Sequence, residues 1–345
     1  MTMVTMSDVA ARVGVSQAMV SYVLNGRKSG PPVRQEMRER ILQAATDLGY
    51  RRNDLARAMA SGKNYVLGFI THVPGDENSN RIMLGAQEEA SERGYLIKML
   101  PMAGFPDYQQ AFARLAEQRL AGVMALNFKA DAVECLREET QRFEIPVVLM
   151  DDPPPQDWAP TVVSDDADGL RQAIVHLRQL GHRRIGFVSA QSGSPLAEQR
   201  QASFLRLMAE NDLPVPPPFV IATNWKNQEI IESGLRRLLE PGRDPSTYPT
   251  AILCAGDFIA MVALRLARSL GLDVPRDLSI IGFADFLFAS YADPPLTTIA
   301  QPYEEMGRLG VRSLLEPPTS SPVVPTLRVP TRLVVRGSTG QARLD

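Results

Sequence analysis

The stretch Thr5 to Asn25, TMSDVAARVGVSQAMVSYVLN, predicts two short helices around a tight turn, with one helix face left uncommitted to any core. Thr5 with Asp8 three residues later is a helix-start signal, because hydroxyl and carboxylate can each satisfy an orphan backbone donor. Met6, Val9, Ala10 and Val13 then recur at i, i+3, i+4 and i+7, which makes one apolar stripe. Gly14 permits the sharp turn between angled helices, and Ser16 can cap the second one. Val20, Val23 and Leu24 give that second helix its inward side.

On the opposite side, Gln17, Ala18, Ser21, Tyr22 and Asn25 fall on one face at spacings of three and four. Gln, Ser, Tyr and Asn can bond base edges or phosphates, and Ala can touch a thymine methyl, so the face suits a DNA major groove. A helical hairpin with a merely solvated polar face has the same pattern. After the loop Gly26 to Pro32, residues Val33, Met37, Ile41, Ala44, Ala45 and Leu48 predict a third helix. Three helices in about fifty residues close a small and marginal core.

Residues 4 to 64 resemble the headpiece of the lactose-repressor/galactose-repressor (LacI/GalR) family. The resemblance rests on Asp8-Val9-Ala10, Ala11, Gly14-Val15-Ser16, Val20-Ser21, Val23, Leu24-Asn25-Gly26, Leu48-Gly49-Tyr50, Asn53 and Ala56. It implies that the helix opening at Ser16 enters the major groove, with Gln17, Ala18 and Tyr22 choosing the operator. Tyr22 replaces the Arg of many relatives, which removes a bidentate guanine contact. The resemblance also makes Arg52 to Lys63 a hinge that turns helical on operator DNA. There Met59 matches the family's apolar minor-groove wedge and Ala56 lets paired hinge helices approach. Arg52 replaces a frequent Pro, losing a helix-start restraint and adding a cation near phosphate. An ordinary linker, with Met59 packed on the next domain, is the alternative.

Charge agrees with a split chain. Residues 1 to 62 carry nine Arg or Lys and five Asp or Glu, a net of +4, while the whole chain is formally −2, leaving −6 for the remainder. A basic head on an acidic body suits a phosphate-facing domain joined to one that avoids nucleic acid.

From Tyr65 onward apolar runs alternate with longer amphipathic segments. Strands are predicted at Tyr65 to Thr71, Tyr95 to Leu100, Gly122 to Leu126 and Pro146 to Met150, with helices at Arg81 to Arg93, Tyr108 to Arg119 and Ala130 to Phe143 between them. A second series places strands near Thr161 to Ser164, Arg184 to Ser189, Phe219 to Ala222, Thr250 to Cys254 and Leu278 to Phe283. Its helices fall near Gly169 to Leu180, Ala197 to Asn211, Asn227 to Leu239 and Phe258 to Leu270. Such alternation implies parallel sheets covered on both sides, and its length favours two α/β subdomains. The expected fold class is therefore α/β: an N-terminal three-helix helix-turn-helix headpiece and hinge, then two doubly wound parallel-sheet subdomains.

This region resembles the family's effector core, itself similar to periplasmic sugar-binding proteins. The matching stretches are Leu180 to Phe187, Gly282-Phe283 with Asp285, Pro295 to Ile299 with Gln301-Pro302, and Leu333 to Ser338. The implied organisation is a headpiece at 1–50, a hinge at 51–64, a first core subdomain at 65–163 with about 295–323, and a second at 164–294 with about 324–338. Ligands in such folds sit beyond the carboxyl ends of the strands. On the resemblance, Arg200 holds effector oxygens and Trp225 stacks on the ligand, while His72, Asn127, Asp151 and Gln301 face the cleft. Two departures stand out: Gly256 precedes Asp257 where the family commonly has Asn, and Ala284 replaces the first Asp of Gly-Phe-Asp-Asp. Neither can bond a hydroxyl through its side chain.

The expected function is a repressor-type transcription regulator that binds a palindromic operator as a homodimer, switched by a small-molecule effector, a sugar or another metabolite. An enzyme or a ligand receptor on the same scaffold is the alternative. Against an enzyme, the chain has no phosphate-loop, dinucleotide or nucleophile-elbow pattern. Its three His and two Cys are scattered without metal-ligand spacing, so no cofactor is expected. Asp151-Asp152 and Asp165-Asp166 are expected to be strand-end or capping pairs. With no secretory leader, no membrane-spanning apolar run and few cysteines, a cytoplasmic location and no membrane partner are expected.

Overall fold

A computed structural model of the chain describes residues 4–25, 33–51, 64–71, 75–102, 107–154, 156–190, 193–239, 248–316 and 324–343. It divides into two compact units, Met1–Asn64 and Tyr65–Asp345.

Among the described residues the first unit holds three helices, α1 (Met6–Val13), α2 (Gln17–Asn25) and α3 (Gln35–Asp47). The capping box at the start of α1 forms: Asp8 N donates to Thr5 Oγ1 at 3.3 Å, and Thr5 N donates to Asp8 Oδ2 at 2.8 Å. These bonds hold the Asp8 carboxyl below its ordinary pKa. Gly14 ends α1 in the left-handed region with φ 76°, the conformation for which glycine has no steric cost. Met19 N then donates to Ser16 Oγ at 3.2 Å, capping α2. Val9, Ala10, Val20, Val23, Ile41, Ala44 and Ala45 make the buried centre, with Met6, Val13, Leu24, Val33, Met37 and Leu48 packed around it.

The second unit is built from two six-stranded sheets. The first sheet contains β1 (Val66–Thr71), β2 (Leu96–Pro101), β3 (Gly122–Leu126), β4 (Val147–Met150), β5 (Thr161–Asp165) and β11 (Thr326–Pro330), in the order β11-β5-β4-β3-β1-β2 and parallel throughout. The second contains β6 (Ile185–Ser189), β7 (Val220–Ala222), β8 (Ala251–Cys254), β9 (Ser279–Ala284), β10 (Thr297–Ala300) and β12 (Arg332–Val334), ordered β12-β10-β9-β8-β6-β7. Only β12 runs antiparallel to its neighbour. Apolar runs fully buried in β3, β4, β6, β8 and β9 follow from coverage on both faces.

The first lobe's helices are α4 (Glu77–Glu92), α5 (Tyr108–Ala116), α6 (Ala130–Arg142) and α11 (Tyr303–Leu315); the second lobe's are α7 (Asp166–Gln179), α8 (Pro195–Glu210), α9 (Gln228–Leu239) and α10 (Asp257–Ser269). Helices α4 and α11 touch backbone to backbone: a Cβ at Gly85 would lie 1.9 Å from the Glu304 carbonyl oxygen, and one at Gly307 would lie 2.0 Å from that of Ile82.

The strand at Thr161, which the pattern groups with the second series although the expected first subdomain runs to 163, pairs with β4 and β11 in the first sheet. The cause is the proline-marked loop after β4, which joins two parallel neighbours without an intervening helix. The return to the first lobe was expected at about 295, but Thr297–Ala300 is a strand of the second sheet, and Thr326–Pro330, expected in the second subdomain, is a strand of the first. The chain therefore crosses between lobes three times, near Asp166, Gln301 and Thr331.

Candidate functional site

On the headpiece, Thr5, Ser16, Gln17 and Ala18 are exposed, so the start of α2 presents an open polar face. Tyr22 is half-buried and packs against the headpiece core. Ser21, also half-buried, lies one turn beyond Gln17 and Ala18. Asn25 closes α2; its side chain, like Asn53, Ala56, Met59 and His72, lies outside the described residues.

In the core, the carboxyl ends of the two sheets face each other around a polar network. Asn127 follows β3 and Asp151 follows β4, both with left-handed backbones, φ 58° and 71°, that Asn and Asp tolerate. Asp151 Oδ2 accepts from Asn127 Nδ2 at 3.0 Å and from Asn78 Nδ2 at 3.2 Å, and Asp152 N donates to Asn127 Oδ1 at 3.2 Å. Burial is the first cause raising the Asp151 pKa. Burial and then the Asp151 charge push the Asp152 carboxyl up to about 6.

Arg200, on α8, is 3% exposed. Its Nε donates to Asp166 Oδ2 at 2.6 Å and its Nη1 to the Ala255 carbonyl at 2.7 Å, while the guanidinium lies 3.8 Å from the Phe283 ring centre and 5.9 Å from that of Trp225. Asp166 Oδ1 accepts from Ser164 Oγ at 2.5 Å, and Gln301 Nε2 donates to Ser164 Oγ at 2.8 Å. Tyr303 Oη donates to Gln301 Oε1 at 2.6 Å, closing a buried chain of five side chains from Arg200 to Tyr303. Burial lifts the Tyr303 phenol well above its usual range. Because Asp166 and Gln301 stand at two of the three crossings, this chain of side chains runs along the segments that join the lobes.

Asn127, Asp151, Arg200, Trp225 and Gln301 are thus gathered at one cleft. Sequence reasoning missed Asn78, Asp166, Phe283 and Tyr303. Asn78 carries no motif, and Asp166 was grouped with its neighbour as a capping pair; Asp165 does cap α7, accepting from Asp168 N at 3.2 Å. Gly256 lies beneath the indole, since a Cβ there would sit 3.5 Å from the Trp225 ring. Ala284, at the end of β9, is buried among the first lobe's apolar residues. Among the described residues, no His, Cys, Asp and Glu cluster could hold a metal ion, and no helix is long and apolar enough to cross a membrane.

Residues 5–53 match the model for bacterial regulatory proteins of the lacI family, and residues 174–339 match a periplasmic binding protein-like domain. The transcriptional regulator MalR of Streptomyces coelicolor is 32% identical, over 98% of this chain and 97% of its own. The chain belongs to the LacI family. Two solved structures agree along the whole length. The Lac repressor dimer bound to operator and the anti-inducer ONPF is 25% identical, with a TM-score of 0.78 over 98% of this chain and 100% of that one. The transcriptional regulator CelR in complex with cellobiose is 26% identical, with a TM-score of 0.68 over 97% and 99%. This LacI-family chain is accordingly a DNA-binding transcriptional regulator with an effector core, and not an enzyme.

Proposed function

We propose that two copies of the chain bind a two-fold-symmetric operator as a repressor, one α2 per half-site, and that a small molecule held between the lobes alters this grip. The carrying observation is the pairing of an open face at Gln17 and Ala18 with a cleft in which Asn127, Asp151, Arg200, Trp225 and Gln301 converge. In this reading Gln17, Ala18 and Tyr22 meet base edges. Thr5, Ser16, Ser21, Asn25 and Asn53 lie toward phosphates, and Met59 wedges into the minor groove beside a close approach at Ala56. The Lac repressor dimer solved on its operator supports the dimeric, DNA-bound form. CelR with cellobiose supports a saccharide or similarly shaped metabolite as effector. Gly256 and Ala284 point to a ligand with fewer hydroxyls read from the second lobe. His72 is assigned to the same cleft, and the place of action is the cytoplasm.

Selection of binding sites from random duplex with the purified full chain tests the reading. A palindrome should emerge, and Tyr22→Ala should change the preferred base at one position per half-site. Met59→Ala should weaken binding and reduce bending by gel mobility. Equal affinity for selected and random duplex rules the reading out.

A further inference from the structure

Strand β9 ends in a backbone corner that L-residues rarely adopt: Ala284 has φ 131° and Asp285 φ 57°. Such conformations persist only where their surroundings over-determine them. Part of that hold comes from the second lobe itself. Ala284 stays in register with Ala300 of β10, and Asp285 Oδ1 accepts from Arg336 Nη2 at 2.6 Å. Phe286 N donates to Asp257 Oδ2 at 2.8 Å, while Thr298 Oγ1 donates to the other oxygen at 2.5 Å.

The rest comes from across the cleft. Arg81 Nη1 donates to the Asp285 carbonyl at 3.2 Å, with Arg81 itself fixed by two bonds to Glu304 at 2.8 and 3.0 Å. Leu287 N donates to Glu77 Oε1 at 2.8 Å, and the Phe286 ring stacks on Tyr303 at 6.3 Å. The same first turn of α4 also meets the segment after Trp225, where Lys226 Nζ donates to Asp76 at 2.7 Å. The start of α4 and its N-cap therefore meet the second lobe both after β9 and after Trp225.

We propose that the corner Ala284 to Leu287 and the first turn of α4 form a spring-loaded clasp that sets the ratio of closed to open lobes before any effector arrives. Parting the lobes breaks the first-lobe bonds to Asp285 and Leu287 and so removes one of the two sets of contacts that hold the corner. Corner strain thus favours the open form and the clasp favours the closed one. Two opposed terms of similar size leave the balance within reach of a ligand with modest preference for one form. Its regulatory meaning rests on the effector reading above; its mechanics do not.

Nitroxide labels at Lys129→Cys and Glu229→Cys, both exposed beyond opposing strand ends, report lobe separation by electron–electron resonance in the full chain with Cys135→Ser and without DNA. Glu77→Ala removes the acceptor for Leu287 N and should raise the open-to-closed ratio by about fivefold, the net worth of an ordinary hydrogen bond, since solvent screens the charge at this exposed contact. Glu77→Gln keeps an acceptor oxygen and should leave the distribution near that of the parent. Ala284→Gly removes the strain and should shift the ratio by about tenfold the other way. This shift is separate from any loss of thermal stability through glycine's unfolded-state entropy, which affects both forms alike. Opposite movements by Glu77→Ala and Ala284→Gly establish the clasp. Movement in the same direction, or none in either variant, overturns it. A chain that passes this test but selects no palindrome would fail the operator reading and keep the clasp.

Discussion

The headpiece and the cleft solve recognition in opposite ways. In the headpiece the chemistry stands on the outside: every buried residue among those described is apolar, and the polar side chains of α2 lie over seven small-to-medium buried residues. In the cleft the chemistry is internal, with Asp151, Asp166, Arg200 and Gln301 all buried and satisfied by one another or by neighbouring Asn, Ser and Tyr. A surface reader needs a partner to gain rigidity. An internal network is preorganised, and it is costly to leave half-made.

The sharpest way to break this comparison is to unpair the network. Asp166→Ala would leave the Arg200 guanidinium buried with no carboxylate hydrogen-bonded to it, against the Ala255 carbonyl and the Phe283 and Trp225 rings. Stranding a buried charge costs about 3–5 kcal/mol, so urea unfolding of the core, followed by tryptophan emission, should shift by that amount. Asp166→Leu combined with Arg200→Met should recover most of it, because the charge is removed along with its partner. A loss under about 1 kcal/mol from the single substitution would mean that the pair is not preorganised as described.

The next effect falls on the headpiece. Ile41 is fully buried at the centre of the three helices, and Ile41→Ala should cost about 2–4 kcal/mol there, a large share of what so small a core can hold. Headpiece helix signals and DNA binding should vanish together, while the melting of the core stays where it was, since the two units are separate. A core transition displaced by several degrees would contradict that separation.

The same contrast explains what was legible in the sequence. Surface recognition follows helical period and caps, which are local, so the Thr5–Asp8 box, the Gly14 turn and the buried stripe Val9, Val20, Ile41 could all be predicted from spacing. Strand positions were legible for the same reason, and Gly122–Leu126 matched residue for residue. Sheet membership was not local. Nothing in the pattern of Thr161–Asp165 says that it lies beside β4, or that Thr326–Pro330 lies beside it, because parallel pairing joins segments far apart in the chain. The cleft divides along that line. Asn127 and Asp151 were expected from their strand ends, and Arg200, Trp225 and Gln301 from the family resemblance; the structure pairs Asn127 with Asp151 and sets Arg200 near Trp225. Asn78, Asp166 and Tyr303 enter through the approach of α4 and the crossings, which no spacing rule encodes.

The smallest expected effect is one of pH, and here the two regions should respond with opposite sign. Asp152 forms no ion pair among the described residues, and burial followed by the Asp151 charge lifts its pKa to about 6. A carboxyl whose folded pKa exceeds its unfolded one binds protons more tightly when folded. Its contribution therefore grows as pH falls through about 6 toward 4, and is lost as pH rises. Asp152→Asn imitates the protonated form and retains an oxygen for the Leu196 N–H, so at pH 8 the variant core should be about 1–2 kcal/mol more stable than the parent, given the group's partial exposure. That advantage should close by about pH 4, read as the difference in urea midpoints between variant and parent. In the headpiece Asp8 is depressed by its bonds to Thr5, so its contribution is present at neutral pH and disappears as acid protonates it. Mild acid should therefore tighten the cleft at Asp152 while it loosens the start of α1. A variant core that gains nothing at pH 8, or gains equally at every pH, would show that the Asp152 charge is already compensated in the folded chain.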